Sequence, residues 1–460
     1  MSATPRLSRS LPDAPAAAPV RIVHLGVGNF HRAHQAWYTH HAPDAGEWGI
    51  AAFTGRRPDQ AEALGPQDGL YTLIVRGREG DDYELIGSLS AVHAASEQDA
   101  YLGYLADPAL AIVTMTVTEH GYVRGDGDHL DARRPEVLAD VEALREDPRS
   151  SVTTMPAKLV AGLLARRAAG AGALTILSCD NLPENGAVTR TLVTELAALV
   201  DESLVDWTTA NVDFATSMVD RITPATTPED REHVAAERGY DDASPVPTEP
   251  FSEWVVSGTF PAGRPRWEDA GVKIVDDVAP HERRKLWLLN GSHSQLAYVG
   301  SVRGHTTIDQ AIADPRCLAW VEQFWDEAQA NLGLPDEDVS AYRAALLDRY
   351  RNERVRHLLA QIANDGSQKL PVRTLPTLNA ERAAGRVPVG AATTLAGWVL
   401  HLRGVGAPVK DPGAGPAQDA ANSGDLAEVV PAVLNTLQAG LGADADLVAA
   451  VVAQAATIQE

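Results

Sequence analysis

The feature that most restricts the fold is an apolar stretch that runs straight into two glycines near the start of the chain. Residues 21–28 read R-I-V-H-L-G-V-G, which is typical of a buried strand followed by a tight turn. Further strands are predicted at 48–53, 109–118 and 174–178, and helices at 29–41 and 157–169. Strands that alternate with helices favour βαβ units and a mostly parallel sheet.

The second half of the chain has a different pattern, because strand signals almost disappear after about residue 277. Just before it, residues 244–265 are rich in proline and aromatic side chains and predict an irregular or antiparallel segment. Helices are then predicted at 281–300, 315–332, 338–364, 376–384 and 391–403, with a final helical pair from 425 onward. Residues 404–424, rich in Gly, Ala, Pro and Asp, predict a loop. We therefore expect an α/β domain over 21–277 and a mostly α-helical domain over 278–460.

Composition excludes several classes of partner. The formal net charge of −23 repels phosphate backbones, so neither nucleic acid nor an anionic membrane surface is an expected partner. The two cysteines, Cys179 and Cys317, cannot form a disulfide framework and lack metal-ligand spacing, which fits a reducing cytoplasm. Residues 1–20 contain no long apolar run and predict a disordered leader, not a signal peptide or a spanning helix.

Gly26 and Gly28 lie where a phosphate-binding turn belongs, between the first predicted strand and the first predicted helix. Glycines there allow a tight turn and let main-chain N–H groups approach a pyrophosphate. His31 replaces the third glycine of the G-x-G-x-x-G fingerprint, so an ordinary strand-to-helix turn stays open as an alternative. NAD enzymes usually carry an Asp or Glu after the second strand to bind the ribose hydroxyls, whereas an arginine there can bind the 2′-phosphate of NADP. Here the second predicted strand leads to Arg56, with no acid before Asp59, so both NAD and NADP stay open.

Polar residues also cluster beyond the carboxyl ends of predicted strands, where ligands bind in open α/β sheets. Thr118 and Glu119 come at the end of one strand, and Asn181 follows another in S-C-D-N-L-P-E-N-G. Asp220 and Arg221 lie in V-D-R-I-T-P, where a plain surface ion pair is the simpler interpretation without further context. The residue types in these loops also fit ordinary turns.

Residues 285–293, K-L-W-L-L-N-G-S-H, place an amine, an amide and an imidazole on one predicted helix. At roughly 100° per residue, Asn290 lies about 140° and His293 about 80° from Lys285 around the helix axis. The three polar side chains thus share less than half of the circumference, although Leu289 falls within the same arc. A helix end capped by Asn290 and its following glycine is an equally good interpretation of the spacing alone.

This stretch resembles the K-x-x-x-x-N-x-x-H signature of the polyol-specific long-chain dehydrogenases, the family of mannitol 2-dehydrogenase and fructuronate reductase. Four other segments resemble that family in the expected order: G-V-G-N-F-H-R-A-H-Q-A, C-D-N-L-P-E-N-G, V-D-R-I-T-P and D-G-S-Q-K-L-P-V-R. The resemblance covers about 21–403. It implies a Rossmann-type domain with a mostly parallel sheet, followed by the helical domain.

The resemblance also implies roles for individual residues. The expected catalytic residues are Lys285, Asn290, His293 and Asn181, and the expected substrate-binding residues are Asp220, Lys369 and Arg373. The expected contacts to NAD, or to NADP, are Ile22, Val23, Gly26, Val27, Gly28, Asn29, Phe30, His31, Ala33, Arg56, Thr118 and Glu119. No metal is expected, because the histidines near the turn have no carboxylate or thiolate at ligand spacing.

The implied reaction is hydride transfer between the nicotinamide and C2 of a polyol or 2-keto sugar, as in D-mannitol to D-fructose. Without a metal to acidify the alcohol, Lys285 must be uncharged to accept its proton, and the neighbouring Arg283 and Arg284 can lower the lysine pKa. Asn181 and Asn290 would donate to the substrate oxygen, His293 would hold a neighbouring hydroxyl, and Asp220 would polarise that region.

The substrate stays open at this point. The segment 365–373, predicted as a loop with two cations, is closer to the hexuronate branch of the family and favours D-mannonate and fructuronate, since an arginine can bind a carboxylate through two hydrogen bonds. D-Arabinitol is a further candidate. A non-catalytic dinucleotide-binding sensor is the alternative of a different class. The expected protein is cytoplasmic, binds a small molecule, and is a monomer or a weak homo-oligomer.

Overall fold

The structure, a computed structural model, describes residues 4–460 apart from the side chains of Glu119 and Asp126. The chain forms two compact units, the first ending at Ala279 and the second running Pro280–Glu460. All strands assigned in the described residues lie in the first unit. In that described part, no helix combines the length and the apolar character needed to cross a bilayer.

Eleven strands build the first unit and divide into two sheets. They are β1 (Val20–Leu25), β2 (Gly49–Phe53), β3 (Tyr71–Arg76), β4 (Asp81–Ile86), β5 (Leu89–His93), β6 (Ile112–Met115), β7 (Leu174–Ser178), β8 (Val212–Asp220), β9 (Val246–Thr248), β10 (Glu253–Ser257) and β11 (Lys273–Ile274). The larger sheet has the order β11-β10-β8-β7-β6-β1-β2-β5, and the smaller β4-β3-β9. From β5 to β8 all neighbours in the larger sheet are parallel, whereas β10 pairs antiparallel with β8.

The central strands of this sheet are mostly apolar and fully buried. β2, β6 and β7 are buried at every residue, as expected for a parallel sheet inside an α/β unit. The helices of this unit are α1 (Asn29–Ala33), α2 (Gln35–His41), α3 (Asp59–Leu64), α4 (Gln98–Ala106), α5 (Pro135–Glu146), α6 (Met155–Ala169), α7 (Asn185–Val200), α8 (Ser203–Asn211) and α9 (Pro228–Arg238). The predicted α/β fold with a mostly parallel sheet is confirmed.

The second unit is helical throughout its assigned elements. Its helices are α10 (Ala279–Arg284), a π-helix (Lys285–Gly291), α11 (Ser292–Val302), α12 (Ile308–Ala313), α13 (Pro315–Gln329), α14 (Asp336–Tyr350), α15 (Leu359–Ile362), α16 (Gly366–Arg373), α17 (Leu375–Ala383), α18 (Val389–Leu402), α19 (Gly415–Ala421), α20 (Leu426–Leu437) and α21 (Ala445–Gln459). α18 is the centre of its core, since it is buried from Gly390 to Leu402. Such an all-round apolar helix must be enclosed by others.

Several local predictions were wrong. The helix predicted over 29–41 breaks at His34, whose Nε2 lies 2.9 Å from the main-chain oxygen of Glu253. The segment 365–373 is the helix α16 and not a loop, and 404–424 contains α19. The helix predicted over 338–364 ends at Tyr350 and resumes only as the short α15.

The described part of 1–20 is packed against the first unit, which differs from the predicted disordered leader. Leu7 is fully buried in a small apolar cluster with Ile74 and Val234. The Arg9 guanidinium donates to the main-chain oxygens of Gly87 and Leu89, at 2.9 and 2.8 Å. A buried leucine and a multiply bonded arginine offset the entropy of ordering this segment.

Candidate functional site

The two glycines of the turn after β1 have different surroundings. At Gly26 the protein itself leaves no space for a side chain, whereas the space around Gly28 is open to a ligand. Gly26 has φ +100°, and a Cβ there would lie 2.2 Å from the main-chain oxygen of Thr116 at the end of β6. A Cβ on Gly28 would meet only Gly26 O within 4 Å, at 3.8 Å, among the described residues. Close approach of a pyrophosphate to the main chain is the known reason for a glycine in that position. The turn therefore fits a dinucleotide.

His31, at the position of the third glycine, packs flat against the strand. Its ring stacks on His24 of β1 with centroids 3.3 Å apart and planes within 9°. His24 is held by Thr114 and Thr116 hydroxyls at 2.9 and 3.1 Å from its two ring nitrogens. Burial lowers the pKa of His24 to about 3 and that of His31 well below its usual value. Two neutral, parallel rings allow the close helix–strand packing for which a glycine is normally used.

The other residues predicted to contact the cofactor fall into two groups. The first group has buried side chains in the core of the first unit, so a cofactor could contact these residues only through their main chain: Ile22, Val23, Val27 and Ala33. Asn29, Phe30, Arg56 and Thr118 are half-buried or exposed near the ends of β1, β2 and β6. The Asn29 amide donates to Pro224 O and Thr226 Oγ1, each at 3.2 Å. The side chain of Glu119 lies outside the described residues.

The loop after β7 is held rigidly on both sides of Asp180. Asn185, which is fully buried, donates its amide to Asp180 O at 3.1 Å and to Ser217 O of β8 at 2.9 Å. The buried Tyr122 hydroxyl, from the segment after β6, donates to the Asp180 carboxylate. Burial raises the pKa of Asp180 to about 6. Asn181, the next residue, is exposed on the surface of this anchored loop.

Asp220 is the last residue of β8 and Arg221 follows it; both are buried, so the surface ion-pair interpretation is wrong. The Arg221 guanidinium donates to Ala33 O at 2.6 Å and to Glu249 O at 3.2 Å, and it lies 4.7 Å from the centre of the Trp37 ring. Arg221 thus fastens the end of β8 to the end of α1. Asp220 is placed by this arrangement at the carboxyl edge of the sheet.

In the second unit, Lys285 and Asn290 lie on a π-helix and not on an α-helix. Hydrogen bonding from residue i to i+5 places residues five apart on one face, so the predicted separation of roughly 140° between these two side chains is wrong. Both are half-buried. His293 follows at the start of α11, with its ring 4.9 Å from that of Tyr350 and 5.1 Å from that of His357.

The two cations of α16 have different surroundings. The Arg373 guanidinium lies 3.2 Å from Ser294 Oγ and 3.5 Å from Asn290 O, beside the asparagine of the π-helix. The Lys369 ammonium donates to the main-chain oxygens of Asn364 and Ile362, at 2.6 and 3.3 Å. Burial, followed by the Arg373 charge, lowers the pKa of Lys369. Arg373 is therefore brought to the Lys285 stretch, whereas Lys369 holds the turn before α16.

Comparison with known proteins identifies a family for both units of the chain. The model of the mannitol dehydrogenase Rossmann domain matches residues 20–269, and that of the mannitol dehydrogenase C-terminal domain matches 277–459. The chain belongs to the mannitol dehydrogenase family. Membership confirms the predicted resemblance and the fold class, and it makes the chain an NAD-dependent oxidoreductase acting on CH–OH groups.

Three similar proteins illustrate the range of names within the mannitol dehydrogenase family. D-Mannonate oxidoreductase of Escherichia coli (strain K12) is 39% identical over 396 residues, which is 84% of this chain and 80% of the relative. The ternary complex of Pseudomonas fluorescens mannitol 2-dehydrogenase with NAD and D-mannitol is 35% identical, with a TM-score of 0.78 over 99% of this chain and 97% of that one. A substrate-free D-sorbitol dehydrogenase is 30% identical, with a TM-score of 0.88 over 99% and 98%.

One group of possible metal ligands occurs in the part of this family member that the structure describes, at His305, Asp314 and Cys317. Asp314 Oδ2 already accepts from Arg303 Nε at 2.7 Å and lies 3.2 Å from His305 Nε2. Its Oδ1 accepts from the main chain at the start of α13. The Asp314 carboxylate therefore already has partners in Arg303 and in the first turn of α13. A metal cation at this position would have to displace the guanidinium.

Sequence reasoning missed the residues that hold these groups in place. Asn185 lies in the segment C-D-N-L-P-E-N-G, whose residue types fit an ordinary turn, yet its amide connects the loop after β7 to β8. Tyr122, Trp325 and Tyr350 were not identified at all. An Asn-Gly pair is typical of a turn, but the asparagine can equally be a buried residue that connects two strands. The sequence around a single aromatic residue does not indicate which main-chain oxygen its side chain will bind.

Proposed function

We propose that this protein transfers hydride between NAD(P) and C2 of a polyol or 2-keto sugar, with D-mannitol and D-fructose as the reference pair. The observation that supports the proposal is that Lys285 and Asn290 lie five residues apart on one π-helix, whose i to i+5 spacing favours a common face for the two side chains. A base and an amide donor side by side suit an alcohol that loses its proton and develops negative charge on oxygen. A protein that only binds a dinucleotide has no use for this arrangement, which argues against a sensor.

Each residue has a proposed task. The main chain at Gly26–Asn29 would hold the pyrophosphate, and the exposed Arg56 is compatible with a 2′-phosphate, so NADP remains a second cofactor. The nicotinamide supplies the hydride chemistry when it is bound. Lys285 takes the hydroxyl proton, and the amides of Asn290 and Asn181 donate to the substrate oxygen. His293 orients a neighbouring hydroxyl and Asp220 polarises that region.

D-Mannonate and fructuronate are the second candidate pair. They are favoured by the guanidinium of Arg373, which lies beside Asn290. Arginine binds carboxylates through two parallel hydrogen bonds, which is the chemistry that the acid end of a sugar acid requires. The relation to D-mannonate oxidoreductase supports the same candidate. Lys369 would add a second positive charge for the substrate carboxylate. Its ammonium donates to main-chain oxygens, so it would act through its charge and not through a direct hydrogen bond.

The test is an absorbance screen with NADH and NADPH against D-fructose and D-fructuronate. Reduction of fructose supports the polyol assignment. Reduction of fructuronate alone moves the assignment to the sugar acid. If neither compound nor any other keto-sugar consumes either cofactor, while NAD still binds, the sensor becomes the better explanation. We further propose a cytoplasmic monomer or weak homo-oligomer, which size-exclusion chromatography with light scattering would test.

A further inference from the structure

The π-helix that carries Lys285 and Asn290 ends in main-chain oxygens that receive unusual side-chain donors. The Trp325 indole donates to Leu288 O at 3.0 Å, and the Tyr350 hydroxyl donates to Leu289 O at 3.1 Å. Ser292 Oγ donates to Leu288 O and lies 2.8 Å from the Tyr350 hydroxyl. Three side chains from α11, α13 and α14 thus converge on two consecutive carbonyls.

These three donor side chains are buried. Trp325, Tyr350 and Ser292 are 1%, 3% and 0% exposed, so each polar atom has been removed from water and needs a partner. π-Helices are rare and occur as single turns that usually sit at functional sites. The main-chain N–H of Ser292 also donates to Leu288 O and Leu289 O, so the three side chains supply further donors that hold these two carbonyls at the end of the π turn.

We infer that Tyr350 is a positioning residue, whose hydroxyl on Leu289 O holds the π-helix that aligns Lys285 with Asn290. This inference rests on the proposed function. The Tyr350 ring also lies 4.9 Å from that of His293, so one side chain touches both parts of the stretch. Without the π turn, α spacing would move Asn290 to roughly 140° from Lys285, away from a common substrate oxygen.

The first experiment is Tyr350→Phe, which removes the hydroxyl and keeps the ring beside His293. We expect kcat to fall on the order of 10-fold to 100-fold, because a displacement near 1 Å can have that effect, while KM stays within about twofold. The matched control is Tyr101→Phe, another buried tyrosine whose hydroxyl donates to a main-chain oxygen, Lys158 O at 3.0 Å. It loses the same kind of bond and should keep the parent kcat.

Trp325→Phe is the second variant, in case Tyr350→Phe folds poorly. It removes the indole donor to Leu288 O and should also lower kcat more than it raises KM. Parent kcat in a folded Tyr350→Phe protein, or equal losses in Tyr350→Phe and Tyr101→Phe, would overturn the inference and leave the proposed function standing. An inactive parent enzyme would instead overturn the proposed function.

Discussion

The glycine turn of the first unit and the π-helix of the second unit solve the same problem in opposite ways. Each must present polar groups to a ligand at a defined place. The turn does so with main-chain atoms at the end of a regular strand, where Gly26 fits only because it lacks a Cβ. The π-helix does so with side chains on an irregular element, which Trp325 and Tyr350 hold from other helices.

The difference shows which kind of substitution each of these two features is sensitive to. Main-chain binding depends on local backbone geometry, so it is sensitive to a single added methyl group. Side-chain chemistry depends on a helix geometry that needs remote support, so it is sensitive to residues that never touch the substrate. The following predictions test this contrast.

The largest expected effect comes from Lys285→Ala. Loss of a general base should lower kcat on the order of 10² to 10⁴-fold, and added primary amine should restore part of the rate. Steady-state oxidation of the best polyol measures this. Lys410→Ala, at an exposed lysine, is the control and should match the parent. A Lys285→Ala enzyme as fast as the parent would show that the base lies elsewhere.

A smaller and more selective effect is expected from Arg373→Ala. Loss of a charge-assisted pair of hydrogen bonds should reduce kcat/KM for fructuronate by roughly 10-fold to 100-fold, and that for fructose much less. Lys369→Ala is the contrasting variant: because its ammonium also holds main-chain oxygens, it should lower thermal stability and discriminate between the two sugars less than Arg373→Ala does. Equal losses on both sugars in Arg373→Ala would remove arginine from substrate selection.

The two glycines of the turn should respond differently to one methyl group. Gly28→Ala should fold with the parent melting temperature and bind NAD about tenfold more weakly, or ~1.4 kcal/mol, because its Cβ enters space left for the ligand. Gly26→Ala should be destabilised by about 1–3 kcal/mol from its backbone strain alone. Calorimetry of unfolding and of NAD binding separates these. An unchanged NAD affinity in Gly28→Ala would contradict the phosphate turn.

The smallest effect concerns Glu327 of α13, the helix that supplies Trp325. Its carboxylate accepts from the main chain of Gly390 and Ala391 at 2.6 and 2.9 Å, and burial raises its pKa to about 7 from the ordinary 4.5. Between these values the folded protein holds a proton that the unfolded chain has lost, so this group destabilises the fold as pH rises.

Glu327→Gln removes that titration. The melting temperature of the variant relative to the parent should therefore be higher at pH 8 than at pH 5, by on the order of 2–4 °C. The kcat should not change, because Glu327 supports α18 and not the π-helix. A pH-independent difference would mean that this carboxyl does not titrate in the folded protein over that range.

The sequence by itself determined the parts of this protein that local chemistry decides. The strand at 174–178 has the predicted bounds, and Gly26 and Gly28 lie at the predicted turn, because apolar alternation and glycine act over a few residues. The family motifs also assign Arg373 to substrate binding, which stays a prediction; its guanidinium lies 3.5 Å from Asn290 O.

Only the tertiary structure decided the π-helix, the helix α16 and the anchoring of residues 4–20. Each has partners far away in the chain. Tyr350 lies more than 50 residues from the carbonyl that it binds, the main-chain N–H of Ser367 in α16 donates to the Asp411 carboxylate at 2.6 Å, and Arg9 bonds to Gly87 and Leu89. Local periodicity predicts an α-helix at 285–293, because it contains no information about donors that approach from other helices. The π-helix that carries Lys285 and Asn290 is therefore a property of the packed domain.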